Sequence, residues 1–379
     1  MVAFAVLLAS FAIPGAGDPP TAELERVAVS GRGFVLLPSR TPFVPWGFNY
    51  DHDETGRLIE DYWIDEWPKI EADFREMKEL GANVVRIHLQ VARFLRSPTE
   101  ANPDSLARLA KLLELAESVG LRIDLTGLGC YHKGDVPPWY DALDREGRWA
   151  AQVVFWKAVA QVGARSSAVF CYDLMNEPVV SGGDRPPGDW LGPGFGGKHF
   201  VQFITRTKPD GPRVRVAADW VERLVAAVRS VDPNHMITVG MVDWSLDRPG
   251  LTSGFVPSVA GAKLDILAVH VYPERDREAE ALEVVRAFAA AGKPVVIEET
   301  FPLKTSPERF RRFLHDSKGS AAGWVGFYWG KTLAEAKAGK TIADAITASW
   351  LQIFVDEREE MTSPEARAEG DRPPGSLER

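Results

Sequence analysis

The run Val169-Phe-Cys-Tyr-Asp-Leu-Met-Asn-Glu-Pro178 decides the fold class of this chain. Its apolar residues favour a buried strand, which ends in an amide at Asn176 and a carboxylate at Glu177. Pro178 biases the residue before it toward extended geometry, so the strand does not continue directly into a helix. The run Lys293-Pro-Val-Val-Ile-Glu-Glu299 has the same form. Apolar strands that carry polar groups at their carboxyl ends predict a parallel sheet with those groups gathered at one edge.

Similar apolar segments recur along the chain and alternate with amphipathic helical patterns. The eight predicted strands cover residues 44–49, 83–88, 121–126, 169–175, 236–241, 266–271, 295–299 and 324–328. Helical patterns cover residues 67–80, 105–119, 214–231, 278–290 and 307–315, and the helix after the fifth strand is poorly marked. Repeated β/α units of this number predict an α/β fold, the (β/α)8 TIM barrel. A doubly wound sheet would also alternate, but the chain has no Gly-rich phosphate-binding fingerprint.

Three further segments belong to the predicted barrel domain, which covers residues 27–356 as a single domain. Residues 27–36 predict a small N-terminal β-hairpin that covers the barrel floor. Residues 127–146 and 179–212 predict long loops after the third and fourth strands. Such loops lie at the C-terminal face of a barrel, where TIM barrels build their active sites.

Composition narrows the class of partner. The chain has 379 residues and a formal net charge of −9. It carries no basic stripe, so nucleic acid is not an expected partner. The chain has 12 Trp, a residue that is common in sugar-binding clefts and that also fills large cores, so a carbohydrate is one expected partner, and we expect a monomer. Cys130 and Cys171 have no zinc-binding spacing and are predicted to be two buried thiols rather than a disulfide.

The two ends of the chain differ from the middle. Residues 1–13 form an apolar run that is followed by small residues, which predicts a signal peptide at residues 1–17 and a secreted or periplasmic protein. The run lacks a basic flank, so a frayed cytoplasmic N-terminus is the alternative. It is too short to span a bilayer, and no membrane span is predicted. The polar, charged residues 357–379 predict a disordered tail.

The ends of the predicted strands carry the chemistry. In a TIM barrel the carboxyl ends of all strands converge on one mouth. The polar or aromatic residues predicted there are Asn49, Arg86, His88, Asn176, Glu177, His270, Tyr272, Glu299 and Trp329. Each has an ordinary structural explanation on its own, such as a buried ion pair or a packed ring. Their joint occurrence at strand ends predicts an active site.

Two carboxyl groups at one mouth suit glycoside hydrolysis. A retaining glycosidase needs a carboxylate nucleophile and a second carboxyl group, about 5 Å away, that acts first as acid and then as base. A nearby Arg and a Tyr hydroxyl are expected to lower the pKa of the nucleophile and keep it ionised. Burial and a negative neighbour are expected to keep the acid protonated.

With these residues in place, the chain resembles glycoside hydrolase family 5, a family of retaining (β/α)8 glycosidases. The resemblance covers residues 34–354 and is carried by Trp46-Gly-Phe-Asn49, Asn83-Val-Val-Arg86, Asn176-Glu177-Pro178, Asp232-Pro-Asn-His235, His270-Val-Tyr272, Lys293-Pro-Val-Val-Ile-Glu-Glu299 and Trp329. It implies that Glu177 is the acid/base and Glu299 the nucleophile. The family spacing of Lys-Pro, four residues and then Glu selects Glu299, and two-residue alternation places Glu298 on the other side of the strand as a packed acid.

The resemblance also implies a sugar-binding site around the cleaved bond. Its residues would be Arg86, Asn176, His270, Tyr272 and Trp329, with Asn49 and His88 at neighbouring strand ends. No cofactor and no metal ion are expected. The substrate implied is a β-linked glycan of the β-1,4-glucan or β-mannan type.

Two local features depart from the family pattern. Thr126 stands where many family members end the third strand with a His, and Thr300-Phe-Pro302 follows the second acid instead of an aromatic residue and Gly. His132 or His88 are the candidates to replace that His. The departure weakens the cellulase pattern and leaves room for mannan.

Three alternatives remain open from the sequence. One is an exo-acting β-glycosidase on oligosaccharides, and another is a barrel that binds carbohydrate without cleaving it. The third is a metal-dependent barrel hydrolase, although the first strand ends in Asp51-His-Asp53 instead of the His-x-His of such enzymes.

Overall fold

The computed structural model describes residues 24–180, 188–206, 211–249 and 252–363, and the description below refers to these residues. Eight parallel strands close into a barrel. They are β4 (Trp46–Asn49), β5 (Val84–Gln90), β8 (Arg122–Gly129), β9 (Val169–Asn176), β10 (Met236–Val242), β11 (Leu267–His270), β12 (Val295–Glu299) and β13 (Gly323–Phe327). The predicted TIM barrel is confirmed, and each barrel strand overlaps a strand expected from the sequence.

Two small antiparallel sheets accompany the barrel. The first contains β1 (Arg26–Ser30), β2 (Gly33–Leu37) and β3 (Pro42–Phe43), and the second contains β6 (Leu95–Ser97) and β7 (Glu100–Ala101). Val27, Phe34 and Phe43 of the first sheet pack in one cluster with Phe170 and Met236 at the start of barrel strands. The predicted hairpin therefore exists, has a third strand, and closes the floor of the barrel with apolar side chains.

Helices surround the barrel. They are α1 (Ile59–Tyr62), α2 (Trp67–Glu79), α3 (Val91–Phe94), α4 (Pro103–Val119), α5 (Pro138–Ala142), α6 (Arg145–Gly163), α7 (Arg213–Arg229), α8 (Glu278–Ala289), α9 (Pro307–Ser317), α10 (Leu333–Ala338) and α11 (Ile342–Thr362). Between β10 and β11 the described residues form only short 3-10 turns, Asp243–Ser245 and Ala260–Lys263. This matches the weak helical pattern after the fifth strand.

Local sequence explains the ends of these helices, and α4 shows how. The Asn102 side chain accepts a hydrogen bond from the Asp104 amide, and Pro103 occupies the first helical position, where its missing N–H costs nothing. Gly120 ends the helix with φ +78°, a left-handed geometry that favours glycine. Between these ends Leu109 and Leu112 are buried against the barrel.

Two sequence predictions about segments are wrong in part. The segment 127–146 is not one long loop, because β8 continues to Gly129 and α5 lies within it. The tail does not begin at residue 357, because α11 continues to Thr362. Its polar residues there are paired: Glu357 contacts Arg311 and His315 on α9. The rest of the predicted tail and the predicted signal peptide lie outside the described residues and stay predictions.

Two further expectations concern cysteines and membranes. Cys130 and Cys171 are both free and buried, as predicted. None of the helices in the described ranges combines the length and the apolar character that crossing a bilayer requires.

Candidate active site

Arg86 lies at the centre of the barrel mouth. It belongs to β5, is fully buried, and its guanidinium donates to four partners. Nη1 donates to Asn49 Oδ1 (2.9 Å) and Glu299 Oε1 (2.6 Å), and Nη2 donates to Asp173 Oδ2 (2.8 Å) and Asn176 Oδ1 (2.9 Å). Burial opposes its charge, but the surrounding carboxylates outweigh that effect and raise the pKa of Arg86, so it stays a cation. One side chain thereby ties four barrel strands together at the level of the site.

The two predicted acids meet above Arg86. Glu177 follows the end of β9, and Glu299 ends β12. One carboxylate oxygen of each, together with a ring nitrogen of His270, form a group in which all atoms lie within 4.8 Å of one another. His270 Nδ1 is 2.8 Å from Glu177 Oε1 and 3.5 Å from Glu299 Oε2. This separation matches the roughly 5 Å between the carboxyl groups of retaining glycosidases.

Glu177 has an unusual backbone geometry. Its φ is +45°, in the left-handed region that side chains other than glycine rarely adopt. The Glu177 amide donates to the Gly240 carbonyl of β10 (3.0 Å), and the Val179 amide donates back to the Glu177 carbonyl (2.7 Å). These bonds hold the chain in a tight bend. Such strain costs on the order of 1–3 kcal/mol and is concentrated at functional sites.

Glu299 is held by two hydrogen-bond donors and one ion pair. Besides Arg86 and His270, the Tyr272 hydroxyl donates to Glu299 Oε2 at 2.6 Å. Burial raises the pKa of Glu299 above its ordinary value, and His270, Arg86 and Tyr272 lower it without cancelling that effect. The predicted Arg and Tyr do lower the pKa of Glu299, but burial, which the sequence expectation left out, outweighs them.

Glu298 faces the interior of the barrel below the two acids. Val296, two residues earlier on the same face, packs in the floor cluster, whereas Ile297 packs with the helices. Glu298 Oε2 lies 3.2 Å from His270 Nε2 and 3.5 Å from Arg86 Nη2. It is a packed acid on the opposite side of the strand from its neighbour, and Glu299 reaches the mouth because it ends the strand.

The other predicted residues line the same mouth or its edge. Asn49 Nδ2 donates to the carbonyl groups of Glu298 (2.8 Å) and Gly326 (2.9 Å). Asn176 Nδ2 donates to the Phe200 carbonyl (2.9 Å), which fastens the segment after β9 to the site. These bonds fix both amides, so their orientation is set before any ligand arrives.

His88 and His132 were the candidates to replace the missing third-strand His. His88 is buried on the same face of β5 as Arg86, and its Nδ1 is hydrogen-bonded to the Tyr131 hydroxyl. Burial and the charge of Arg86 lower the pKa of His88, so it is neutral. His132 lies 3.8 Å from Asp61 near α1. Thr126 itself donates to Asp173 (2.8 Å). Of the two candidates, only His88 shares a strand face with the site.

Trp329 follows β13 and belongs to an aromatic group. Its ring stacks on Phe327 (5.5 Å between centroids, 21° between planes), meets the Phe301 edge at 5.4 Å, and lies 6.1 Å from His52. The ring is half-buried, and its Nε1 has no hydrogen-bond partner among the described residues. A half-exposed ring in this position can stack on a sugar.

Asp124 and Asp173 are buried acids that the sequence prediction missed. Asp173 also accepts from the Gly240 amide (2.7 Å). The signal was present, because each acid interrupts an otherwise apolar strand on the face that points into the barrel. A parallel strand buried on both faces is normally a continuous apolar run.

The site could offer ligands to a metal ion only by losing its present contacts. The group Glu177, His270 and Glu299 has metal-ligand spacing, and so has His315, Glu357 and Glu360 on α9 and α11. Burial lowers the pKa of His270, but neighbouring carboxylates outweigh it and raise the pKa to about 10. A protonated imidazole has no lone pair for a metal. The arrangement suits acid/base chemistry with two carboxyl groups.

Comparison with known proteins agrees with this geometry. Residues 46–331 match the family model described as cellulase, glycosyl hydrolase family 5. A mannan endo-1,4-beta-mannosidase A from Emericella nidulans is 24% identical over 234 residues, which are 56% of this chain and 53% of that protein. The chain thus spans about half the length of the curated relatives it matches.

Solved structures share the fold. An exo-beta-1,4-mannosidase, Op5Man5 from Opitutaceae bacterium strain TAV5, superposes with a TM-score of 0.66 at 20% identity, over 89% of this chain and 63% of that one. A beta-mannanase from the blue mussel Mytilus edulis superposes with a TM-score of 0.59 at 16% identity, over 90% and 98% of the two chains. The family model covers most of the barrel, from the first strand to the residues after the eighth. The chain belongs to glycosyl hydrolase family 5.

Proposed function

We propose that this chain is a retaining β-glycosidase that cleaves a β-linked glycan by double displacement, and that β-1,4-mannosides are its preferred substrates. The observation that carries the proposal is the closeness of Glu177 and Glu299. A carboxylate oxygen of each and a ring nitrogen of His270 all lie within 4.8 Å of one another. Inverting enzymes place their carboxyl groups about 6.5–9.5 Å apart to leave room for a water molecule between the general base and the sugar.

In the first step the Glu299 carboxylate attacks the anomeric carbon and the bond to the leaving oxygen breaks. Glu177 gives its proton to that oxygen, so the leaving sugar departs as an alcohol and a glycosyl ester forms on Glu299. In the second step Glu177 takes a proton from water, whose oxygen attacks the anomeric carbon and releases Glu299. Arg86 and Tyr272 hold both oxygens of Glu299 in place for the attack.

The choice of mannan over glucan rests on two observations. The relatives and structural neighbours described above are named for activity on β-1,4-mannan or β-1,4-mannosides. Within this chain, Thr126 replaces the third-strand His of the cellulase pattern, and its hydroxyl donates a hydrogen bond to Asp173. The wall of the site beside Asn176 therefore differs from that of a typical cellulase.

A cavity of about 280 Å³ adjoins the acid/base side of the site. Its lining residues include Glu177, Trp244, Tyr272 and Arg277. Because Glu177 protonates the leaving oxygen, this cavity holds the leaving group. It lies just below the roughly 300–1,000 Å³ of pockets for drug-sized ligands, so it suits a short leaving group.

Turnover and stereochemistry test the proposal together. The purified protein is incubated with manno-oligosaccharides and, in parallel, with cello-oligosaccharides, and the first product is followed by proton NMR. The proposal expects faster cleavage of the manno-series and a first product with the β-anomer. An α-anomer as first product refutes double displacement. Binding of oligosaccharides without turnover favours the non-catalytic barrel, and the sizes of the products separate endo from exo action.

A further inference from the structure

A histidine with a carboxylate at each ring nitrogen connects the site to the barrel interior. His270 Nδ1 lies 2.8 Å from Glu177 Oε1, and Nε2 lies 3.2 Å from Glu298 Oε2. The ionised Glu298 cannot donate, and the Glu177 oxygen that faces the ring can accept whether or not the other Glu177 oxygen carries a proton, so the two contacts fit a ring with protons on both nitrogens. His270 is therefore a cation that lies between Glu177 at the barrel mouth and Glu298 in the barrel interior.

Glu298 has a second contact, deeper in the barrel. Its carboxyl group is within hydrogen-bonding reach of the carboxyl group of Asp124 on β8. Glu298 Oε1 and Asp124 Oδ1 are both buried, and neither has a hydrogen-bond donor among the described residues. Two buried carboxyl oxygens without a donor, on side chains that contact each other, are costly. A single proton shared between the two groups supplies the missing hydrogen bond.

The neighbouring charges decide which group carries the proton. Burial and the charge of Glu298 raise the pKa of Asp124. Burial also acts against an ionised Glu298, but Arg86 and His270 outweigh it and lower the pKa of Glu298. The other titratable groups that act on the pair are Cys171 and Asp173 from β9, and Glu299 from β12 lies 3.5 Å from His270. The proton therefore resides on Asp124, and Glu298 remains an anion.

We propose that Asp124 is a positioning residue of the active site: as a neutral acid it donates to Glu298, which in turn holds His270 as the cation that donates to Glu177. The chain of contacts runs from the closed interior to the carboxyl group that exchanges protons with the substrate. This proposal rests on the acid/base function proposed for Glu177, but the state of His270 is a property of the folded protein and is measurable without turnover.

The first test is the titration of His270, followed by NMR of protein with ¹⁵N-labelled histidine and assigned with His270→Asn. The carboxylates around His270 raise its pKa to about 10, so the native ring should titrate near that pH. Asp124→Asn keeps a donor, the side-chain amide, and the titration stays near its native value. Asp124→Leu has similar size and no donor, so Glu298 loses one contact that favours its ionised form, and His270 should titrate below its native value, toward the ordinary value of about 6.5. Equal titration in the Asn and Leu variants overturns the proposal.

A second variant tests the same series of contacts in case Asp124→Leu does not fold. Glu298→Gln has the size of the native side chain and removes its charge, so it too should bring the titration of His270 down. A native titration in folded Glu298→Gln refutes the proposal. Lack of turnover by the native protein would instead refute the proposed function and leave the NMR result standing.

A kinetic readout separates positioning from simple stability. If the contacts from Asp124 to His270 act through Glu177, Asp124→Leu lowers kcat/KM about tenfold or more for glycosides with poor leaving groups. The loss is much smaller for activated aryl glycosides. Asp124→Asn should restore the native ratio of the two. A structural defect would lower both by the same factor, and that result would also count against the proposal.

Discussion

Replacing Glu177 by Gln removes the proposed proton donor and leaves the local packing in place. The Glu177 side chain is 18% exposed, and its Oε1 faces His270 Nδ1 at 2.8 Å. The amide oxygen of Gln can accept the same hydrogen bond, so Glu177→Gln should fold with a native melting temperature. It cannot protonate a leaving oxygen.

The size of the loss follows from the part that proton transfer plays. General acid catalysis contributes roughly 10²–10⁴-fold, which is about 3–5 kcal/mol at ~1.36 kcal/mol for each factor of ten. We expect a loss of that order in kcat/KM for oligosaccharides, whose leaving group is a poorly acidic alcohol. For aryl glycosides with strongly acidic phenols, the loss should shrink to about tenfold or less, because such groups leave without a proton.

The assay is kcat/KM across a series of aryl β-mannosides ordered by the acidity of the phenol. The variant should depend much more steeply on that acidity than the native enzyme. Azide added to Glu177→Ala should accelerate the second step and give a β-glycosyl azide, because the anion attacks the glycosyl ester without a base. Glu274→Gln is the matched control, since Glu274 lines the same cavity but is paired with Lys304 (2.6 Å).

Two results would refute the reasoning. A parallel loss for every member of the series, with no azide product, would mean that Glu177 supports the structure and does not transfer a proton. The same change of slope in Glu274→Gln would mean that the slope reports the cavity as a whole.

Three other predictions address the nucleophile and the sugar-binding face. Glu299→Gln should abolish turnover, and a slow mechanism-based fluorosugar should label Glu299, which peptide mass spectrometry checks; a label on Glu298 would contradict the assignment. Tyr272→Phe removes a donor that lowers the pKa of Glu299, so the acidic limb of the pH profile of kcat/KM, already above the ordinary glutamate value, should move to higher pH; Tyr172→Phe, which loses a 2.7 Å hydrogen bond to Asp232 away from the mouth, should lower only the melting temperature. Trp329→Ala should lower kcat and kcat/KM together if the ring stacks on the sugar in the transition state, whereas a loss of about 3–5 kcal/mol of stability with native kinetics would mark it as a core residue.

The barrel could be predicted because each of its strands has a recognisable local sequence pattern. Each is a short apolar run with a polar tip, and each is separated from the next by a helical pattern or a loop. The prediction of a disordered tail from residue 357 was wrong in part for a physical reason. The α11 residues Glu357 and Glu360 pair with His315 on α9 and with Lys318 directly after it, and those partners are distant in sequence. Composition alone cannot separate a paired surface helix from a disordered tail.

The upper part of the site could be predicted for the same reason as the strands, since its residues stand at strand ends. The lower part could not. Asp124 and Asp173 are single acids inside apolar runs, and their partners Arg86 and Glu298 come from other strands. The net pKa of Glu299 depends on how deeply the closed barrel buries it, which no local pattern gives. Only the closed barrel brings the carboxyl groups of Asp173, Glu298 and Glu299 to the single guanidinium of Arg86.

The two acids are held in different ways, and the difference fits two different tasks. Glu299 receives Arg86 on one oxygen and Tyr272 on the other, so its carboxylate is fixed in position for attack on a carbon. Glu177 meets His270 through one oxygen, sits on a strained bend, and has a side chain that is more exposed than that of Glu299 (18% against 12%). An acid that must give a proton to a leaving sugar and then take one from water needs access to both. A fixed nucleophile beside a more accessible acid is therefore the division of labour that double displacement requires.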